Sequence, residues 1–278
     1  MAVFKPSRSK EEWGNRLITP LYKEKYLETI WNTTDPRFKG RGWTLKSGVW
    51  APWFFNMRPA GSSPDLFYDI CTSMSEMILN YHDNIDFIIG IEMAGVPLVG
   101  GVSRAMCDEG YPIGMGYTRP LPEKPKTPMK CLELLARIDE TVTDYSQKEY
   151  VEGRIELARN IGIIDDMATD LGSKLIARLI ILWQAKLRGV SINCNEILYF
   201  LNRNRGNKQK GLDFENEVEL GLYPQKLNVD YVIEFDDHLP VLKNVMRPEE
   251  FEIIMEFQQN PKQFGGEDRR REVLAMVK

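Results

Sequence analysis

Four short apolar runs constrain this chain more than any other feature: DFIIGI (86–91), NIGIID (160–165), NEILYFLN (195–202) and VDYVIEF (229–235). Each is too short for a stable helix and rich in β-branched or aromatic residues, so each reads as a strand. The first three are nearly unbroken in apolar character, which marks strands covered on both faces. Helical patterns lie between them. PLVGGVSRAMCDEG closes at Gly110, and Ser173 to Arg188 stops at Gly189 with Leu175, Ile176, Leu179, Ile180, Trp183 and Leu187 on one stripe. Strands alternating with helices predict an α/β fold, with a mostly parallel central sheet flanked by helices. Ligands of such sheets bind beyond the carboxyl ends of the strands.

The remaining segments are read more coarsely. Residues 11 to 31 suggest helical turns broken near Pro20, and WTLKSGVWAPWFFN (43–56) suggests two short strands around a Ser47-Gly48 turn. Trp43, Trp50 and Trp53 there are expected to pack rather than to stack on a base. Ser63-Pro64 supplies an N-cap and a first-turn proline for a helix through about Tyr81. YPIGMGYTR gives a strand near 112 to 118. RPLPEKPKTPMK (119–130), with four prolines, reads as an exposed extended loop. The place of the following stretch to Asn160 is not legible beyond some helical character.

Two adjacent carboxylates, Asp165 and Asp166, end the apolar run of IGIIDDMATDLGSKL (161–175). Like charges side by side are costly to desolvate, so they are either solvated at a strand end or they hold a ligand rich in hydroxyl groups or positive charge. Thr169, Gly172 and Ser173 follow on the turn that opens a helix, where free amides and hydroxyls bind phosphate. A carboxylate pair beside a phosphate turn fits the vicinal hydroxyls of a ribose whose 5-phosphate rests on that turn. Only two histidines, His82 and His238, are present. That excludes a His-rich metal site and disfavours a Ser-His-Asp mechanism; both are expected to be surface or capping residues.

This context resembles the type I phosphoribosyltransferases, whose signature is a strand, two acidic residues and a Thr/Gly-rich turn. WTLKSGVWAPWFFN, FIIGIEMAGVPLVGG and LYFLNRNRG are similar to segments of the orotate phosphoribosyltransferase branch, in the same order from about residue 40 to 235. The resemblance implies a type I phosphoribosyltransferase fold with a small hood subdomain. It divides the chain into a hood-forming segment (1–60), a core (61–235, with a mobile loop and insertion at 119–160) and a C-terminal helical extension (236–278). Lys46 would contact the donor, phosphoribosyl pyrophosphate, and Phe54 and Phe55 would wall a pyrimidine base. Glu92, Met93, Ala94 and Gly95 would form the pyrophosphate loop, and Arg119 and Lys124 would meet the pyrophosphate from the hood. Asp165 and Asp166 would bind the ribose hydroxyls and, through ligand or water, Mg²⁺. Thr169, Asp170, Leu171, Gly172 and Ser173 would take the 5-phosphate, and Arg203 the carboxylate of orotate.

The residues also depart from the family pattern. Pro120 follows Arg119, Glu123 stands near an expected lysine, and Asp170-Leu171 replaces a small residue and a glycine in the phosphate turn. A divergent phosphoribosyltransferase acting on another base or hydrolysing the donor, or a catalytically weak nucleotide-binding effector, therefore stands as an alternative. A homodimer is implied by the resemblance. Net charge −4 makes nucleic acid an unlikely partner. Four scattered cysteines without a CxxC pair, and an N-terminus without an apolar leader, fit a cytoplasmic protein without a membrane span.

Overall fold

The computed structural model describes residues 6–45, 48–141, 149–203 and 227–277. In chain order come helix α1 (Lys10–Lys23), strands β1 (Leu27–Thr29), β2 (Trp43–Thr44), β3 (Trp50–Ala51) and β4 (Trp53–Phe55), and helix α2 (Pro64–Tyr81). Strand β5 (Phe87–Gly90), α3 (Gly95–Asp108), β6 (Gly114–Thr118), α4 (Pro128–Thr141) and β7 (Val151–Glu152) follow. Then come β8 (Asn160–Ala168), α5 (Gly172–Leu187), β9 (Asn193–Asn202) and β10 (Asn228–Glu234). Helices Phe235–His238, Pro248–Gln259 and Glu267–Ala275 complete the order. These elements cluster into two compact units, Met1–Glu11 with Phe67–Glu234, and Glu12–Leu66 with Phe235–Lys278.

The first unit is built on a six-stranded sheet in the order β10-β9-β8-β5-β6-β7. Its neighbours pair in parallel except β7, which runs antiparallel to β6. Ile88, Ile89, Ile163, Ile164, Ile197 and Leu198 are fully buried, as continuous apolar runs in a covered sheet require. The chain passes from β5 through α3 to β6 on one side, and from β8 through α5 to β9 on the other. The winding of the sheet therefore changes direction between β5 and β8, and ligands of such sheets bind beyond the carboxyl ends of the strands at that point.

Two stretches of this unit extend the sequence reading. Strand β8 continues past Asp165 to Ala168, because the long partner β9 offers pairing for Asp165, Met167 and Ala168 opposite Tyr199, Leu201 and Asn202. The stretch after the proline-rich loop forms α4, with Pro128 in its first turn, where a missing amide costs nothing. Cys131, Leu134, Leu135 and Ile138, at i, i+3, i+4 and i+7, bury one face of α4 in the same apolar cluster as Leu175, Leu179 and Leu182 of α5.

The second unit corrects two expectations. Helix α1 runs through Pro20. An interior proline costs about 3 kcal/mol, but fully buried Leu17, Ile18 and Leu21 each return roughly 1.5–3 kcal/mol, so burial wins. Residues 27–29, expected to be helical, form a strand antiparallel to β4. The Ser63 hydroxyl, just before α2, donates a hydrogen bond to Glu24 at 3.1 Å. Strands β2 and β3 pair as an antiparallel hairpin. The three tryptophans are packing residues: Trp53 stacks on Phe235 at 4.3 Å, Trp50 on Phe264 at 6.2 Å and Trp43 on Phe38 at 5.2 Å.

Both histidines are buried, against expectation. In the first unit His82 lies between two carboxylates, Nδ1 2.8 Å from Glu196 and Nε2 3.0 Å from Asp230. In the second, the His238 ring fills the space where a side chain on Gly14 would stand. For His82 the two carboxylates compensate for placing a polar ring inside, and sequence spacing gives no sign of them.

Candidate functional site

The acidic pair lies inside the carboxyl-terminal part of β8, just before its end at Ala168 and not at the strand end the sequence suggested, beside the point where the sheet changes direction. The Asp165 carboxylate is buried, with a protein partner on each oxygen. One oxygen accepts from the Asp166 amide at 2.9 Å and the other from the Lys174 ammonium at 2.7 Å. Lys174 comes from the first turn of α5 and is only 4% exposed. Its ammonium also donates to the Met167 carbonyl and lies 6.0 Å from the Tyr199 ring centroid. Asp166 keeps part of its surface exposed. Burial and the neighbouring Asp165 nevertheless hold its carboxyl well above the usual carboxylate range, with the Lys174 charge pulling the other way.

The turn that follows places Thr169 and Asp170 at the surface and buries Leu171, with Gly172 and Ser173 partly exposed at the start of α5. Leu171 adopts an ordinary right-handed helical conformation, φ −91° and ψ −1°, so the turn closes without the glycine common in the family. The Asp170 carboxylate accepts a hydrogen bond from the Gly172 amide at 2.9 Å. An anionic side chain of the protein thus engages an amide that a bound phosphate would use.

Beyond β5 the chain folds tightly over the neighbouring strand. A side chain on Gly90 would meet the Gly95 carbonyl at 2.3 Å, and one on Gly95 would meet the Ile164 carbonyl at 2.7 Å. These glycines let loop 92–95 approach the end of β8 closely. The Glu92-Met93 peptide is cis. The Glu92 amide donates to the Thr118 hydroxyl at 3.2 Å, and Met93 stands 72% exposed. Burial pushes the Glu92 carboxyl up, while the charge of Lys124 opposes that shift.

Arg119 follows β6 and is anchored by its amide, which donates to the Tyr150 carbonyl at 2.8 Å. Its guanidinium is paired with Glu152 at 3.1 Å. That pair is solvent-exposed, a setting in which ion pairs contribute only about 0–1 kcal/mol, so a stronger anion could displace it. Arg203, at the end of β9, is 7% exposed, with its amide on the Ala168 carbonyl at 2.9 Å. Burial pulls its guanidinium below its ordinary range. Within the first unit Glu92 to Gly95 follow β5, Asp165 and Asp166 lie in the last part of β8 with Thr169 to Ser173 after it, and Arg203 follows β9.

Phe54 and Phe55 belong to the second unit. Phe55 is buried there, and Phe54 is half-buried with its ring 6.1 Å from that of Trp43. Lys46 lies outside the described residues. Lys174 and Glu152 were missed by sequence reading. A lysine in the first turn of a helix ordinarily reads as solvated, and only the spacing Asp165 to Lys174 across a tight strand-turn-helix hinted at their meeting.

Sequence relatives carry one recurrent name. The chain is 30% identical over 139 residues to an orotate phosphoribosyltransferase of Rhodopseudomonas palustris, a match covering 50% of this chain and 65% of that protein. It is 26% identical over 168 residues to the same-named protein of a Bradyrhizobium species, covering 60% and 78%. The first relatives are therefore matched over less than two thirds of their own length. No family model matches. Among solved structures, the Leishmania donovani UMP synthase aligns with a TM-score of 0.59 at 17% identity, covering 88% of this chain and 42% of that one. The Francisella tularensis orotate phosphoribosyltransferase aligns at 0.55 and 14% identity, covering 92% and 98%. The chain has a type I phosphoribosyltransferase fold. Its sequence resembles the orotate branch of that fold.

Among the described residues no cluster of three His, Cys, Asp or Glu side chains is arranged to hold a metal ion, and no helix is long and apolar enough to cross a membrane. Two adjacent carboxylates, one tied to Lys174, form too small a set to cage a cation. They do suit Mg²⁺, which keeps several waters and takes ligands from substrate phosphates.

Proposed function

We propose that the chain is a phosphoribosyltransferase of the orotate type, converting orotate and phosphoribosyl pyrophosphate to orotidine 5-phosphate and pyrophosphate. The observation that carries this reading is the juxtaposition, where the sheet changes direction, of the acidic pair and phosphate turn of β8 with the glycine-pinched loop after β5. The shared name of the sequence relatives supports the choice of base. In this reading Asp166 accepts hydrogen bonds from the ribose hydroxyls, and the turn from Thr169 to Ser173 holds the 5-phosphate. Loop 92–95 faces the pyrophosphate, with Arg119 and Lys124 neutralising charge on the leaving group. The planar fork of Arg203 suits the orotate carboxylate. Lys46, Phe54 and Phe55 are assigned by resemblance alone.

The reaction needs no histidine base. The ribose carbon becomes cationic as the bond to pyrophosphate stretches, so positioning and charge compensation supply the catalysis. Mg²⁺, held through the ligand or water at Asp165 and Asp166, would add neutralisation of the pyrophosphate charge. A homodimer and a cytoplasmic location belong to the same reading. The cysteines described as free, Cys71, Cys107, Cys131 and Cys194, accord with a reducing compartment.

The Asp170 carboxylate on the Gly172 amide and the Arg119–Glu152 pair favour a second reading, a divergent phosphoribosyltransferase for another base or a weakly catalytic nucleotide binder. Loss of orotate absorbance with donor and Mg²⁺ decides between them, with Asp165→Asn/Asp166→Asn as control. Turnover that disappears in the control supports the orotate reading. Donor binding without orotate consumption supports the second, and turnover untouched by the double substitution rejects this site.

A further inference from the structure

The acidic pair is ordinarily counted as two ligand-facing charges, but here a third group takes part. The Lys174 ammonium is buried, 2.7 Å from one Asp165 oxygen, and donates to the Met167 carbonyl two residues on. The second Asp165 oxygen accepts the Asp166 amide. Each oxygen of Asp165 therefore has a partner within the protein, and its charge has a cation beside it. Asp166 is the member of the pair that retains exposed surface. The groups facing Lys174 are Asp165 and Asp166 on β8, the Ser173 hydroxyl at 3.5 Å and the Tyr199 ring on β9. The Tyr199 hydroxyl continues the buried polar layer to Asn202 at 3.2 Å, and Asn202 donates to Glu234 at 2.8 Å.

From this geometry we propose that Lys174 is a positioning residue for the acidic pair. It holds Asp165 inward and offsets its charge, leaving Asp166 as the principal carboxylate for the ribose hydroxyls. The inference rests on the ribosyl-donor reading above. It also assigns unequal roles to two residues that sequence alone treats as equivalent. A cation beside Asp165 suits a ligand that brings two anionic ends of its own, because it lowers the negative charge that the pair presents to it.

Calorimetric titration of phosphoribosyl pyrophosphate with Mg²⁺ into the full chain tests this. Lys174→Met leaves Asp165 buried without its cation and is expected to weaken binding about tenfold or more. Lys174→Arg keeps the charge and is expected to recover part of that loss. Lys174→Met/Asp165→Asn removes both members of the pair and is expected to bind at least about threefold tighter than Lys174→Met alone. A purely structural lysine would give a double variant no better than the single one, and that result overturns the proposal. Binding by folded Lys174→Met within about twofold of wild type overturns it too. Melting curves without donor identify variants that fail to fold, and the Arg and double variants then carry the comparison. A wild-type chain that binds no donor overturns the ribosyl-transfer reading itself, an outcome distinct from wild-type binding that is indifferent to position 174.

Discussion

The Gly172 amide donates to Asp170 at 2.9 Å, so the first turn of α5 already carries a negative charge supplied by the chain. Replacing Asp170 with alanine frees the amide and removes the repulsion, and inorganic phosphate should then bind about fivefold more tightly by calorimetric titration. Weaker binding would mean that the carboxylate orders the turn rather than competing with the anion. The aspartate itself was legible as a departure, since it stands where a small residue is usual. What it touches was not legible, because an amide two residues ahead is reached only once the turn has closed. Lys174 illustrates the same gap more sharply. Its type and position suggest a solvated first-turn residue, yet it is buried on Asp165. The acidic pair could be recognised from IIDD followed by a Gly-Ser turn, but the division of labour within it depends on a side chain nine residues later.

At the scale of elements, the strands and helices around the sheet follow their apolar periods closely, from Phe87–Gly90 to Asn228–Glu234. The failures occur where tertiary burial outweighs local preference, as in the helix through Pro20 and the strand at 27–29. His82 shows what periodicity cannot reveal, since it joins the end of α2 to Glu196 on β9 and Asp230 on β10, near the starts of those strands. Lys10 also meets Asp230 at 2.5 Å. Burial works against the imidazolium, but the bonds to Asp230 and Glu196 prevail and push its pKa up to about 9. A raised pKa means that the stabilisation is complete below the unfolded value near 6.5 and fades as pH climbs through about 9. His82→Gln should therefore lower the melting temperature by roughly 4–8 °C at pH 6 and by much less at pH 10. Equal losses at both pH values would show that the ring contributes by packing alone.

For the molecule as a whole, net charge −4 works against the strongly anionic donor proposed above, and Asp170 adds local repulsion. Chelating Mg²⁺ should therefore weaken binding of phosphoribosyl pyrophosphate at least about tenfold in a titration with and without EDTA. Unchanged affinity would shift the burden of charge compensation to Arg119, Lys124 and Arg203. The α/β class was readable because four apolar runs and their intervening helices leave few alternatives to a parallel sheet. The order of strands was not, since it arises from which way each crossover turns. That order brings Gly90 and Gly95 together beside β8, where a single added methyl group would strike main chain rather than a movable side chain. In a diversified library selected for folding these two positions should tolerate almost no alternatives, while exposed Met93 between them should accept many. The loop after β5 thus offers an engineer an exposed, adjustable position held between two that cannot move.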